Sequence, residues 1–189
     1  RIQILEAAIK IFGQEGFYDA KIESIAATAG IAKGTIYQYY GSKEELIQAS
    51  LDFMVDRFED KYIEGSKEMD SAIDRLKWLI HISVMQFYEL QPLLNFNLMA
   101  SLLHDPKQQE KVKQRHHNWN NHMEELLTLG YRRMELRKLD TEVFTSTLFG
   151  AIFQLCHPWS HELLSLEKAR SIEKSLTELM LHGIAEVQA

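Results

Sequence analysis

Residues Ile22 to Leu46 read IESIAATAGIAKGTIYQYYGSKEEL, and this stretch decides how the chain is to be understood. Ile22, Ile25 and Ala29 recur at i, i+3 and i+7, the spacing of one apolar helix face, with polar or small residues between them. Gly30 stops that helix. A glycine just past the last periodic residue supplies the left-handed backbone that a helix C-terminus favours, and Ile31 behind it can fold back onto the apolar face. A second helix, KGTIYQYY, begins at once near Ala32 or Lys33. Ile36 and Tyr40 are its inward residues, which leaves Lys33, Thr35, Tyr37, Gln38 and Tyr39 outward. One buried anchor beneath a dense row of hydrogen-bonding side chains is what a helix needs to enter a major groove. A plain helical hairpin in a core does not account for that outward row.

Ile25-Ala26, Ala29-Gly30-Ile31, Lys33-Gly34-Thr35-Ile36-Tyr37, Tyr39-Tyr40 and Ser42-Lys43-Glu44-Glu45-Leu46 together resemble the DNA-binding head of the tetracycline-repressor (TetR) family of bacterial transcription regulators. The match in spacing runs without a gap from Gly16-Phe17 to Leu46. Helix, glycine turn and helix are common to many proteins; Gly34-Thr35-Ile36-Tyr37 followed by Ser42-Lys43-Glu44 is far more specific. The resemblance implies an all-α chain of about nine helices. Residues 1–46 would form a three-helix, helix-turn-helix DNA-binding head and 47–189 a helical ligand-binding and dimerisation domain. It also implies DNA contacts at Lys21, Ser24, Lys33, Gly34, Thr35, Tyr37, Gln38, Tyr39 and Lys43, with Lys33, Thr35 and Gln38 at base edges and Lys43 on phosphate. Two positions depart from the pattern: Lys21 stands where the family usually has Thr, and Ala32 where it often has Ser. Both lost hydroxyls were potential caps and phosphate contacts. Glu23 would repel phosphate unless it accepts a hydrogen bond from a base edge or pairs with a neighbouring lysine.

With 189 residues, 46% of them hydrophobic, the chain can hold one large or two small helical domains with a core. No apolar run of about 18 residues and no signal-like opening occurs, so no membrane span is expected. The single cysteine, Cys156, has no CxxC partner, which fits a reducing cytoplasm, and it reads as a small buried hydrophobe. The net charge of −6 runs against nucleic-acid binding, and residues 1–45 carry five basic against six acidic side chains. Distribution reverses the balance locally: from Ala20 to Lys43 there are three lysines and one glutamate. The chain begins at Arg1 without a methionine, and a preceding segment is expected, basic if the resemblance is followed.

Ile2, Leu5, Ile9 and Phe12 mark a first helix closed by Gly13 and Gly16, with Phe17 and Tyr18 as plugs for the head core. Ser42 and Glu45 form a capping box for a helix running to about Glu64, with Gly65-Ser66 as a boundary. Met69 to Leu90 is apolar nearly all round and so is buried. Pro92 opens another helix, and Asp105-Pro106 ends it and starts one reaching about Arg133, with Val112, His116, Trp119, Met123, Leu127 and Gly130 on one face. Val143–Cys156 and Ile172–Val187 are the last two helices.

Motifs for chemistry are lacking: there is no GxGxxG, P-loop, HExxH, GxSxG or CxxC. No cofactor and no metal are expected. Pro158 disturbs the His157/His161 pair, and His116, His117 and His122 spread around their helix without acidic or thiolate company. Large side chains on inward faces of the body suggest instead a pocket for a small hydrophobic effector: Phe58, Tyr62, Trp78, Phe87, Phe96 and Met99, then Trp119, Met123, Phe149 and Phe153. Simple core filling explains about half of them. His116, Asn120, Asn97 and Gln154 are the candidate polar groups, and the family's body domain points the same way.

The last two helices carry more apolar residues than one inner face uses: Phe144, Leu148, Ile152 and Leu155, then Leu176, Leu179, Met180 and Ile184, with Gly183 allowing close approach. They are expected to build an isologous homodimer interface. The function expected is a cytoplasmic repressor that binds a pseudo-palindromic double-stranded DNA operator and is released by a small effector. The helix from Lys43 would couple the two, since its far end, Phe58 and Tyr62, faces the pocket. The rival readings are a hydrophobic-ligand carrier or sensor whose head has lost DNA binding, and a helical enzyme without a local signature.

Overall fold

The computed structural model describes residues 1–91, 106–156 and 163–184. Among these residues are eight helices: α1 (Ile2–Asp19), α2 (Ile22–Thr28), α3 (Lys33–Tyr39), α4 (Lys43–Ser66), α5 (Ala72–Leu90), α6 (Pro106–Arg132), α7 (Thr141–Cys156) and α8 (Leu166–Ile184). The fold is all-α, as expected. The helix predicted after Pro92 lies outside the described residues, and with it Phe96, Asn97 and Met99; His157 and His161 do too.

The head forms around a core of its own, in which Ile4, Leu5, Ala8, Ile11 and Phe12 of α1 meet Ile22, Ile25, Ile36, Tyr40, Leu46 and Ile47. The buried face of α1 is therefore rotated from the predicted one: Ile2 is 59% exposed, while small Ala7 and Ala8 allow close helix approach. Gly13 does not end α1. Gly16, at φ 77°, kinks it, and one further turn runs to Asp19. Phe17 packs 5.8 Å from Phe12, but Tyr18 is 68% exposed and plugs nothing.

At the α2–α3 turn, Gly30 takes φ 68°, its N–H donates to Ala27 O (3.2 Å) and the Ile31 N–H to Ala26 O (3.0 Å). This is the Schellman arrangement, which satisfies the terminal carbonyls and returns Ile31 to the head core. Lys21 and Ala32 make no side-chain cap, as their lost hydroxyls imply. α4 is properly capped: the Ser42 hydroxyl accepts from the Glu45 N–H (3.0 Å), and the Glu45 carboxylate accepts from the Gly41 N–H (2.8 Å).

α4 belongs to both halves. Its Leu46 and Ile47 lie in the head core, and its Phe58 and Tyr62 lie in a second core with Leu76, Leu79, Ile80, Ile82 and Val84 of α5. α4 ends at Ser66, at the expected Gly65-Ser66 boundary, and the Trp78 indole occupies the space where a Cβ on Gly65 would sit, 2.4 Å away. α5 is the central body helix and packs on α4, α6, α7 and α8. Its N-terminus is held from a distance by Glu135, whose carboxylate accepts from Ser71 Oγ (3.1 Å) and from the N–H groups of Ala72 (2.7 Å) and Ile73 (3.3 Å). A carboxylate on free N–H groups complements the positive end of the helix.

Candidate functional site

The head turns outward most of the side chains expected there. Ile36 and Tyr40 anchor α3 in the core, and Lys33, Gly34, Tyr37, Gln38 and Tyr39 are exposed, with Thr35 and Ser24 half-buried. Two of the three lysines in this surface are already engaged. Lys33 Nζ lies 2.6 Å from Glu23 Oε1, so Glu23 takes the lysine-pairing alternative. That hydrogen bond holds the Glu23 carboxyl below its usual range and the Lys33 ammonium above its own. Lys43, half-buried at the first turn of α4, donates to Tyr18 O (3.0 Å) and sits 4.9 Å over the Phe17 ring. It clasps α4 to the end of α1 with one of its three donors. Lys21 is exposed at the start of α2.

Below the head, a polar seam joins α4 to α6. The Asp52 carboxylate accepts from Lys111 (2.6 Å), Arg115 (3.0 Å) and Gln48 (3.2 Å), and Arg115 also reaches Asp56 at 3.5 Å. Burial pushes the Asp52 carboxyl up, but the hydrogen bonds and charges of Lys111 and Arg115 outweigh it and hold the group below the usual range. Further along, His122 meets Glu59 at 3.0 Å. Sequence reading missed this seam. Its signal was present as matched i, i+4 pairs, Asp52/Asp56 on one helix and Lys111/Arg115 on the other, but nothing in a single chain says that the two helices face each other.

The seam ends in an aromatic cluster. The Trp119 ring lies 5.1 Å from Phe58, 5.4 Å from Tyr62 and 5.4 Å from Phe149, with His122 edge-on at 5.6 Å. Burial pushes the Tyr62 phenol up to about 12, so it stays neutral. Met123 is fully buried beside it. The other predicted lining residues divide from this group. Phe87 pairs with Phe153 at 6.1 Å, and Trp78 stacks on His81 while covering Gly65.

His116 is a correction. It is exposed, with Asn120 Nδ2 3.3 Å from its Nδ1, because α6 turns that position and Val112 to solvent, and Leu126 takes the inner face instead. Asn120 is half-buried, with its Oδ1 buried and unpaired. A cleft of about 570 Å³ opens where α1, α4 and α5 meet, and of the predicted ligand residues only Phe58 lines it.

The proposed interface residues also divide. Phe144, Leu148, Ile152, Leu176 and Met180 are buried in the chain's own core, which corrects their assignment to a dimer surface: α7 and α8 need those faces to cover α5. Leu155 (49%) and Leu179 (67%) are exposed, as is Gly183, and so is Val143, which the sequence reading had not singled out. The Ile184 side chain lies outside the description. Among the described residues no helix is long and apolar enough to cross a membrane, and no three His, Cys, Asp or Glu side chains gather as a metal site would need.

A helix-turn-helix whose outer helix presents exposed polar and aromatic side chains, set on a helical body through one shared helix, defines a DNA-binding transcriptional regulator. The family model described as "Bacterial regulatory proteins, tetR family" matches residues 4–50, the whole of this head. The head of this chain is therefore similar to the DNA-binding head of that family. Over nearly full length it is 26% identical to the fatty acid metabolism regulator protein of Bacillus subtilis, covering 97% of this chain and 94% of the relative. The crystal structure of the regulator FadR from B. subtilis in complex with stearoyl-CoA superposes with a TM-score of 0.69 at 24% identity, over 97% of this chain and 98% of that one. A regulator from Saccharomonospora viridis in complex with choline gives a TM-score of 0.78 at 17% identity, over 98% and 97%. All three are named as regulators.

Proposed function

We propose that the protein is a homodimeric repressor that binds a pseudo-palindromic operator and is released by a hydrophobic small molecule, with a long-chain acyl thioester as the favoured class. The observation that carries this reading is α4, whose capped start follows the recognition helix directly and whose Phe58 and Tyr62 pack into the Trp119 cluster. The full-length relative named for fatty acid metabolism and the stearoyl-CoA complex of the B. subtilis structure support the choice of ligand class. Residues 1–46 act as the DNA-binding head and 47–189 as the effector and dimer domain. Lys21, Ser24 and Tyr39 would orient the head on the backbone, and Lys33, Thr35 and Gln38 would face bases. The exposed apolar residues Val143, Leu155 and Leu179 are the surface available for pairing with a second copy. A recognition helix of seven residues reads few base pairs, so two half-sites about 34–36 Å apart are needed.

A ligand loosens such a complex only through its preference for the wrongly spaced state, and a 100-fold loss requires about 2.7 kcal/mol of coupling. Linkage makes the effect reciprocal. Stearoyl-CoA affinity is to be measured with and without DNA selected by the protein from a random duplex library, with choline as a control. Stearoyl-CoA should bind more weakly by the factor at which it weakens DNA; equal affinities with and without DNA would refute the coupling.

A further inference from the structure

We propose that Glu23 is a specificity-determining residue of the DNA-binding head: it cancels the charge of Lys33 against phosphate and holds that ammonium at the groove-facing start of the recognition helix.

The ion pair links the second residue of α2 to the first residue of α3, at 2.6 Å between Nζ and Oε1. Both side chains are largely open to solvent, 49% for Lys33 and 61% for Glu23, so the pair adds little to folding. The head is held by its own apolar core and by the Gly30 turn, neither of which uses Glu23. Beyond its modest role as the first-turn acid of α2, whose N-terminus has no side-chain cap, a carboxylate on the face that must approach a polyanion works against binding as such. Its effect on discrimination is different. A free lysine gains from any phosphate on any sequence and adds one released counterion to the affinity of every site. Lysine paired to Glu23 adds no net charge, so its contribution falls on sites where the ammonium finds a better acceptor than phosphate, such as the O6 and N7 edge of guanine. Pairing also restrains a side chain that otherwise carries considerable rotamer freedom. The Tyr37 ring lies under the same ammonium, 5.8 Å from it.

The inference rests on the DNA-binding reading of this surface, and one arm of its test does not need an operator. Binding of the parent, Glu23→Gln, Lys33→Met and the double variant is to be measured against salt. One duplex is of arbitrary sequence and the other is selected by the parent from a random library. For Glu23→Gln the slope of log affinity against log salt should steepen by about 0.9, so the loss between roughly 50 and 200 mM salt grows about 3.5-fold. Affinity for the arbitrary duplex should rise about 5-fold, and for the selected duplex by less, so the specificity ratio falls. Glu23→Asp, which keeps the charge, should retain the parental slope. In the Lys33→Met background no lysine is left to be freed, so the steepening of the slope should be largely lost, and only the smaller gain from removing the carboxylate's own repulsion should remain.

An unchanged slope for Glu23→Gln overturns the proposal. So does a loss confined to the selected duplex, which would make Glu23 a direct acceptor from a base amino group. If the parent selects no sequence, the repressor reading fails, while the arbitrary-duplex arm still decides the role of Glu23.

Discussion

Replacing Asp52 by Asn removes one charge from the α4–α6 seam and leaves its shape. In the parent, three donors converge on this carboxylate: Lys111, Arg115 and Gln48. A pair of unit charges at about 4 Å is worth about 4 kcal/mol at an effective dielectric of 20 and about 1 kcal/mol in water. The Asp52 side chain is 18% exposed and Lys111 51%, and burial itself opposes the charge, so most of the larger figure is lost to screening and desolvation. We expect a loss of about 1–2 kcal/mol, or a melting temperature lower by roughly 2–8 °C for a chain of this size.

The pH dependence identifies the source of that loss. The folded-state pKa of Asp52 lies below its unfolded value, so its contribution is complete above the ordinary aspartate range and disappears as pH falls through the depressed folded value. Parent and variant, melted side by side from neutral pH into the acid range, should therefore differ at neutrality, with a gap that narrows once pH drops below the ordinary aspartate range and closes only below the depressed folded value. Equal melting at neutral pH, or a gap that stays constant on acidification, would refute the seam as an energetic link.

Four other perturbations read separate parts of the design. Ser42→Ala removes the α4 cap and should cost about 1 kcal/mol in chemical denaturation, with no change in the spectrum of the folded state. Gly65→Ala gains about 1 kcal/mol of helix propensity but drives a Cβ into the Trp78 indole, where overpacking costs about 1–3 kcal/mol; a net loss is expected, relieved by adding Trp78→Leu. Leu179→Glu, at a position 67% exposed, should leave the melting of the monomer unchanged and shift sedimentation from dimer to a 22.0 kDa species. A parent that already sediments as a monomer would contradict the interface. Gln38→Ala should relax preference at particular base pairs by about 1–3 kcal/mol in a selection experiment and leave the salt slope alone, as expected for a base reader.

Local chemistry was enough to determine the head from sequence. Gly30 specifies the left-handed turn, Ser42 and Glu45 specify a helix start, and the 3.6-residue period puts Ile36 and Tyr40 inward and Tyr37 and Gln38 outward. Each of these is settled by residues within one or two helical turns. Where the local signal was ambiguous the reading slipped: Gly13 looked like a stop yet sits in mid-helix, while Gly65, in the last turn of α4, also makes room for an indole on another helix, which no local signal shows. The body depended on which helices face each other, and no period encodes that. Hydrophobic periodicity marks a face as buried without saying what buries it. Phe144, Leu148, Ile152, Leu176 and Met180 therefore fitted a dimer surface as well as the core they fill. The Asp52 seam, the meeting of Trp119 with Phe58 and Tyr62, and the choice of Lys33 as the partner of Glu23 all join residues on different helices. Only the packed structure could decide them, because the pairing energy depends on distances that the chain acquires when its helices come together.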